Sequence, residues 1–226
     1  MSSETSATAP SLPQGRLRLT ADSVINDTGQ PDECVYTAGQ DAVQDLPEET
    51  LMFLMGTRYC ETDFLSDTSW QLFSGTAPGY PRVQAICDFV HNHISFNYQN
   101  ARATQSATDT FNEHTGVCRD YAHLAIAFCR CMNTPARYCT GYLSDAGTPP
   151  LYAVGDFAAW LEAWIGGRWH LFGPRNNVPR IGCVLMARGR DAADVAIATT
   201  FGTNRLEIFS VWTDKIPGGK IPGPHA

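Results

Sequence analysis

The sequence predicts an α+β fold, and three observations carry the prediction. Apolar residues recur at helical spacing at Val83, Ile86, Cys87, Val90 and Ile94. A second helical run extends from Cys118 to Met132, with Ala122, Ala125, Ile126 and Cys129 along one face. After it the period changes to two: Phe157–Ile165 alternates, Gly166-Gly167 is a two-residue turn, and Arg168–Phe172 returns. Helices first and an antiparallel sheet afterwards is the α+β order.

Taken in order, Met1–Gly15 is rich in Ser, Thr, Ala and Pro and predicts a disordered tail. It has neither the basic start nor the apolar stretch of a signal peptide. An N-terminal extension over 16–80 follows. Arg16–Asp27 contains Leu-Arg-Leu-Thr and Val-Ile and predicts a short strand. Asp45-Leu46-Pro47-Glu48-Glu49 starts a helix with a cap, an early proline and first-turn acids, continuing to Met55 and ending at Gly56. Asp63–Phe73 is a second helix. The main domain is placed at 81–215. It holds a helix over Pro81–His93, an extended piece at Ile94–Tyr98, a polar loop at Gln99–Ser106 and a short helix at Ala107–Glu113. The Cys118–Met132 helix stops at Asn133-Thr134-Pro135. Its small residues predict close packing on a sheet. Strands are expected at Ala136–Leu143, Phe157–Ile165, Arg168–Phe172, Ile181–Ala187 and Leu206–Trp212, with a loop at Ser144–Pro150. The Pro/Gly-rich end, Ile216–Ala226, predicts a loose tail.

Composition narrows the function. With 226 residues and 43% hydrophobic residues, the chain can bury one substantial core. A formal charge of −7 leaves no basic stripe for phosphates, so no nucleic-acid partner is expected. No run approaches about 18 consecutive apolar residues, so no membrane partner is expected either. Eight cysteines in a chain of this length, without a secretion signal, predict free thiols and a cytoplasmic location. Cys129 and Cys131 lack the spacing of a zinc site, and neither a metal nor a cofactor is expected.

The stretch with chemical content is Gly116-Val117-Cys118-Arg119-Asp120-Tyr121-Ala122. The turn His114-Thr115-Gly116 runs straight into the long helical pattern, which puts Cys118 in the first helical turn. Unsatisfied N–H groups and the positive end of the helix dipole favour an anion there. A thiol in such a place ionises more readily, and the thiolate is the nucleophile.

Three ordered motifs resemble the transglutaminase-like superfamily, its bacterial members above all. They are Gly116–Ala122; Met132-Asn133-Thr134-Pro135-Ala136-Arg137-Tyr138-Cys139-Thr140-Gly141-Tyr142; and Asp156–Ala163 followed by Gly167–Arg175. The likeness spans Arg82–Val195. It implies a papain-like core, with the cysteine at a helix N-terminus packed on an antiparallel sheet. It also implies cysteine-dependent acyl chemistry: crosslinking, deamidation or proteolysis. The family pattern has a histidine and an aspartate where this chain has Ala158 and Gly173, so only Cys118 of the triad is matched.

The hairpin register asks what else reaches that place. Closing the turn at Gly166-Gly167 sets position 158 opposite Arg175 and puts His170 opposite Ala163, on the other face. Glu162 shares the face of Ala158 but lies roughly 13 Å along the strand. His123 is rotated about 140° from Cys118 around the helix. His114, four residues upstream, is the candidate base. Trp160, on the Ala158 face, and Arg175 are candidate substrate-binding residues. Arg175 is a fixed cation and cannot take a proton.

Two functions remain. One is nucleophilic acyl transfer by Cys118 on an activated acyl or electrophilic substrate, whose leaving group needs no proton. The other is a non-catalytic relative that uses the old cleft to bind a peptide or small molecule.

Overall fold

The computed structural model describes residues 15–143 and 156–213. The expected loop Ser144–Pro150, the C-terminal tail and residues 1–14 fall outside that range. Residues 15–26 belong to a separate unit and run as exposed chain without secondary structure.

The second unit is built on one helix and one sheet. Helices α1 (Glu48–Leu51), α2 (Thr62–Phe73) and α3 (Tyr80–His93) come first. Strand β1 (Ser95–Phe96), α4 (Ala107–Glu113), β2 (Thr115–Gly116) and α5 (Cys118–Cys131) follow. The sheet strands are β3 (Ala136–Leu143), β4 (Asp156–Ile165), β5 (Arg168–Phe172) and β6 (Cys183–Gly189). Their order is β5-β4-β3-β6, antiparallel throughout. This is the predicted α+β architecture.

Helix α5 is central. Every residue from Asp120 to Arg130 is buried, because β3 and β4 lie against the helix and α2, α3 and α4 pack around it. Ala122, Ala125, Ile126 and Cys129 join one core with Ala136, Tyr138, Ala159, Leu161 and Ala163 of the sheet. Small side chains on the helix allow that close approach. The helix ends where Asn133 turns left-handed at φ 58° before Pro135.

The β4–β5 hairpin has the predicted register: Leu161 faces Phe172, Ala163 faces His170 and Ile165 faces Arg168. Gly166 and Gly167 both have positive φ, 58° and 81°, which only a glycine pair adopts at no steric cost in a two-residue turn. Strand β6 starts two residues later than predicted, after Gly182 at φ 75°. The turn after it is a network. Asp191 accepts the Tyr59 N–H at 3.0 Å and the Ala193 N–H at 2.8 Å. Arg130, buried within α5, donates to the Arg190 carbonyl at 2.6 Å.

Two predicted strands are corrected. Neither Arg16–Asp27 nor Leu206–Trp212 is part of a sheet; both are extended and exposed, with Leu19 79% and Ile208 81% accessible. Alternation says which side chains would share a face, but a strand also needs a neighbour to pair with. The helix expected to run through Met55 is the single turn Glu48–Leu51, preceded by a 3-10 turn at Val43–Asp45. The polar loop expected at Gln99–Ser106 opens with a 3-10 turn, Tyr98–Asn100.

Glycine positions on the sheet separate tight packing from open space. A Cβ on Gly141, at the β3 irregularity, would lie 2.0 Å from the Val184 carbonyl oxygen, whereas one on Gly173 would meet nothing within 4 Å. Gly141→Ala is expected to lower unfolding free energy by about 1–3 kcal/mol or more through overpacking. Gly173→Ala is expected to leave it nearly unchanged. Urea unfolding of the two variants checks the contrast.

Candidate active site

Cys118 is the first residue of α5, half-buried against the core. Its placement is built from its own motif. Val117 is the N-cap, in extended conformation, and Asp120 folds back so that its Oδ2 accepts the Val117 N–H at 2.9 Å. That return needs Gly116, whose Cβ would lie 2.7 Å from the Asp120 Cβ. Gly116 is held in turn by the β1–β2 ladder, opposite Phe96, with its carbonyl accepting the Asn97 N–H at 3.0 Å. The Tyr121 hydroxyl donates to the Ile94 carbonyl at 2.6 Å. Gly116, Asp120 and Tyr121 are therefore positioning residues for Cys118. The motif contains them, but their roles appear only in three dimensions.

Asp120 is wholly buried. Burial pushes its carboxyl up, and the Val117 N–H and the Arg119 guanidinium oppose that shift. Arg119 donates to Asp120 Oδ1 at 3.0 and 3.2 Å. The cap thus brings its own counter-cation, which limits how far its negative charge offsets the positive helix end beside Cys118.

Burial sorts the other thiols. It pushes Cys60 up to about 12 and Cys183 up to about 11. It also raises Cys87, Cys129, Cys131 and Cys139. These six are poor nucleophiles at neutral pH. Cys34 is exposed. Tyr138, inward-facing on β3, is a neighbour that the sequence did not single out: burial raises its hydroxyl, and the nearby Cys118 raises it further.

The histidines are placed as follows. His114 caps α4 in left-handed conformation, is exposed, and has its ring 4.2 Å from that of His93. His93 is itself stacked between Phe89 and Phe111 and bonded to the Phe111 carbonyl at 2.8 Å. The extended pair Thr115–Gly116 carries the chain on from His114 towards Cys118. His123 is wholly buried and stacked on Tyr59, and its Nε2 accepts the Ala192 N–H at 3.1 Å. Burial pushes its pKa well down, helped by Arg119 and Arg130. His170 lies on the core face beside Tyr80 and Phe172, with Nε2 3.2 Å from the Ile165 carbonyl. Glu162 is clamped by Arg137 at 2.6 Å and Arg188 at 2.8 and 3.0 Å.

Ala158, Trp160 and Glu162 share one face of β4, while Ala159, Leu161 and Ala163 turn to the helical core. Beside Ala158 is a small, partly open recess with a cavity of about 30 Å³. Ala158, Trp160, Gly173, Arg175 and Arg180 are among its lining residues. The structure thus brings the two candidate binding residues, Trp160 and Arg175, together with Ala158 and Gly173. Cys118 lies outside this lining. The Arg175 guanidinium lies 4.0 Å from the centre of the Phe96 ring, and the Phe96 backbone pairs with Gly116.

Residues 67–174 match the Transglutaminase-like superfamily. An uncharacterized protein of Mycobacterium leprae is 38% identical over 94 residues, 40% of this chain and 33% of its own. An uncharacterized protein of Mycobacterium tuberculosis is 28% identical over 205 residues, 81% of this chain and 64% of its own. A crystal structure of a candidate cysteine protease from Cytophaga hutchinsonii aligns with a TM-score of 0.66 at 38% identity. It covers 78% of this chain and 63% of that one. The chain spans less than two thirds of the length of each of these relatives.

The buried histidines predict an acid-side loss of stability. His123 takes up its proton in the unfolded chain near 6.5 and only well below that when folded. The unfolded state therefore binds more protons as pH falls, and stability present above about 6.5 is lost below it. His170, pushed down by burial and Arg168, acts with the same sign. His123→Phe is expected to reduce the slope of unfolding free energy between about pH 7 and 5, by at most about 1.4 kcal/mol per pH unit. Urea titrations across that range read the change.

Proposed function

This chain belongs to the transglutaminase-like superfamily, and on that premise we propose that it transfers acyl groups from activated donors through Cys118. Its relatives of this fold use a cysteine. What carries the finer reading is the seat of Cys118: first residue of a buried helix, fixed by the Asp120–Val117 cap. The helix N-terminus stabilises the thiolate.

The chemistry follows from the groups at hand. The Cys118 thiolate attacks the carbonyl carbon of a thioester. The new S–C bond forms, the donor C–S bond breaks, and the donor leaves as a thiolate that needs no proton. The acyl group then sits on Cys118 until a second thiol, an amine or water takes it. An amide donor would have to expel an amine, which must be protonated as it leaves. At Ala158 and Gly173 this chain has no group that moves a proton. The preference is thus for thioesters and activated esters over amides. A small-molecule or peptide acyl donor and a cytoplasmic setting, where eight free thiols persist, accord with this reading.

A second reading is favoured by a different observation. Ala158 and Gly173 leave open space instead of polar groups, as in a relative that binds a ligand without reacting.

Alkylation separates the two. In a Cys34→Ser background the six raised thiols stay slow, and iodoacetamide reads Cys118. The expected result is a Cys118 rate that titrates below the ordinary value of about 8.5 and disappears in Cys118→Ala. With an aryl thioester, about one equivalent of thiol should be released in a burst, leaving an acyl adduct on Cys118 by mass spectrometry. Titration at or above the ordinary value, with no adduct, leaves the binding reading.

A further inference from the structure

We propose that the cavity between Ala158, Trp160, Gly173 and Arg175 is a binding site for the head of a short-chain monocarboxylate. The proposal does not depend on Cys118 reacting.

Two independent observations meet at this place. The first is the cavity itself, at the positions where the family pattern has a histidine and an aspartate. With a methyl at 158 and only hydrogen at 173, about 30 Å³ is left, room for a carboxylate head or a water. The second is the Trp160 indole. The side chain lines the cavity and is only 4% exposed, yet its buried Nε1–H has no hydrogen-bond acceptor. A buried polar group without a partner is uncommon, and an absent ligand or water is among its explanations.

The surrounding chemistry selects the class. Indole N–H and guanidinium are donors only, and an ionised carboxylate is an acceptor only. Arg175 supplies the charge that a buried carboxylate requires. Arg180 lines the same cavity and adds a second positive charge to it. The anion is assigned to the side of the Trp160 N–H, the cavity donor that is buried and lacks an acceptor. Leu143, Leu171 and Val178 are among the other lining residues and suit a short alkyl tail.

The test uses the ¹⁵N-labelled protein, whose five tryptophans give five indole N–H signals. Trp160→Phe identifies the Trp160 signal and keeps most of the ring volume. Propionate is expected to move that signal saturably and leave the others in place; propionamide, of similar shape but neutral, is expected to leave it unmoved. Arg175→Gln should weaken propionate binding about tenfold or more. Gly173→Asp, which places a carboxylate in the recess without a Cβ clash, should abolish it. Dispersion of the remaining indole signals reports folding in each variant. No saturable shift with propionate, an equal shift with propionamide, or binding indifferent to both substitutions would overturn the proposal.

Discussion

The structure around Cys118 depends on one hydrogen bond, from the Val117 N–H to the Asp120 carboxylate. It starts the central helix, because the carboxylate takes a donor that no helical carbonyl can satisfy. It requires Gly116 beneath it, since any Cβ there collides with Asp120. Gly116 in turn is held by the two-residue parallel ladder with Ser95–Phe96. Glycine, cap and ladder together leave the helix one place to begin. Asp120 is also a buried carboxylate whose ionised form burial disfavours. Arg119 offsets that cost while holding the Arg102 carbonyl at 2.5 Å. The Gly-Val-Cys-Arg-Asp run is thus a folding unit before it is a chemical one, and any reactivity of Cys118 is an outcome of that unit.

Burial sets four of the eight cysteines apart from Cys118. Cys60, Cys87, Cys129 and Cys139 fill core space as small apolar residues, and the same desolvation that makes them good packing makes them poor thiolates. Cys118 stands apart because it is half-buried and at a helix start. Chemistry and packing therefore do not compete for the same sulfur.

What the sequence disclosed followed from how local each feature is. The α5 helix and the β4–β5 hairpin are set by spacing and by a Gly-Gly turn, and both stand where the pattern put them, register included. The assignment of His170 to the face opposite Ala158 followed from that register alone. The parallel pairing of Ser95–Phe96 with Thr115–Gly116 joins segments 20 residues apart and has no local signature. Leu206–Trp212 alternates as a strand does, yet whether a neighbour exists is a fact about the whole fold. At the site, Cys118 was legible from its motif. Tyr138 was not, because an inward tyrosine on a strand looks like any core aromatic until the helix is placed against it. The place of His114 turned on a left-handed cap at φ 57°, which sets its ring beside His93.

The two halves of the site have the same electrostatic need, a positive charge, and Arg175 lines one of them. A thiolate at the start of α5 and an anion in the Ala158–Gly173 recess would both draw on the same guanidinium, which reaches from the recess to the Phe96 ring. With a methyl at 158 and only hydrogen at 173, the Trp160 N–H is left as a buried donor without an acceptor. A buried donor without an acceptor costs about 1–3 kcal/mol, so an anion that fills the recess gains that amount in addition to its own contacts. On the proposed reading, an occupant of the recess would compete with the Cys118 thiolate for the charge of Arg175, and ligand binding and reactivity would be coupled with a negative sign.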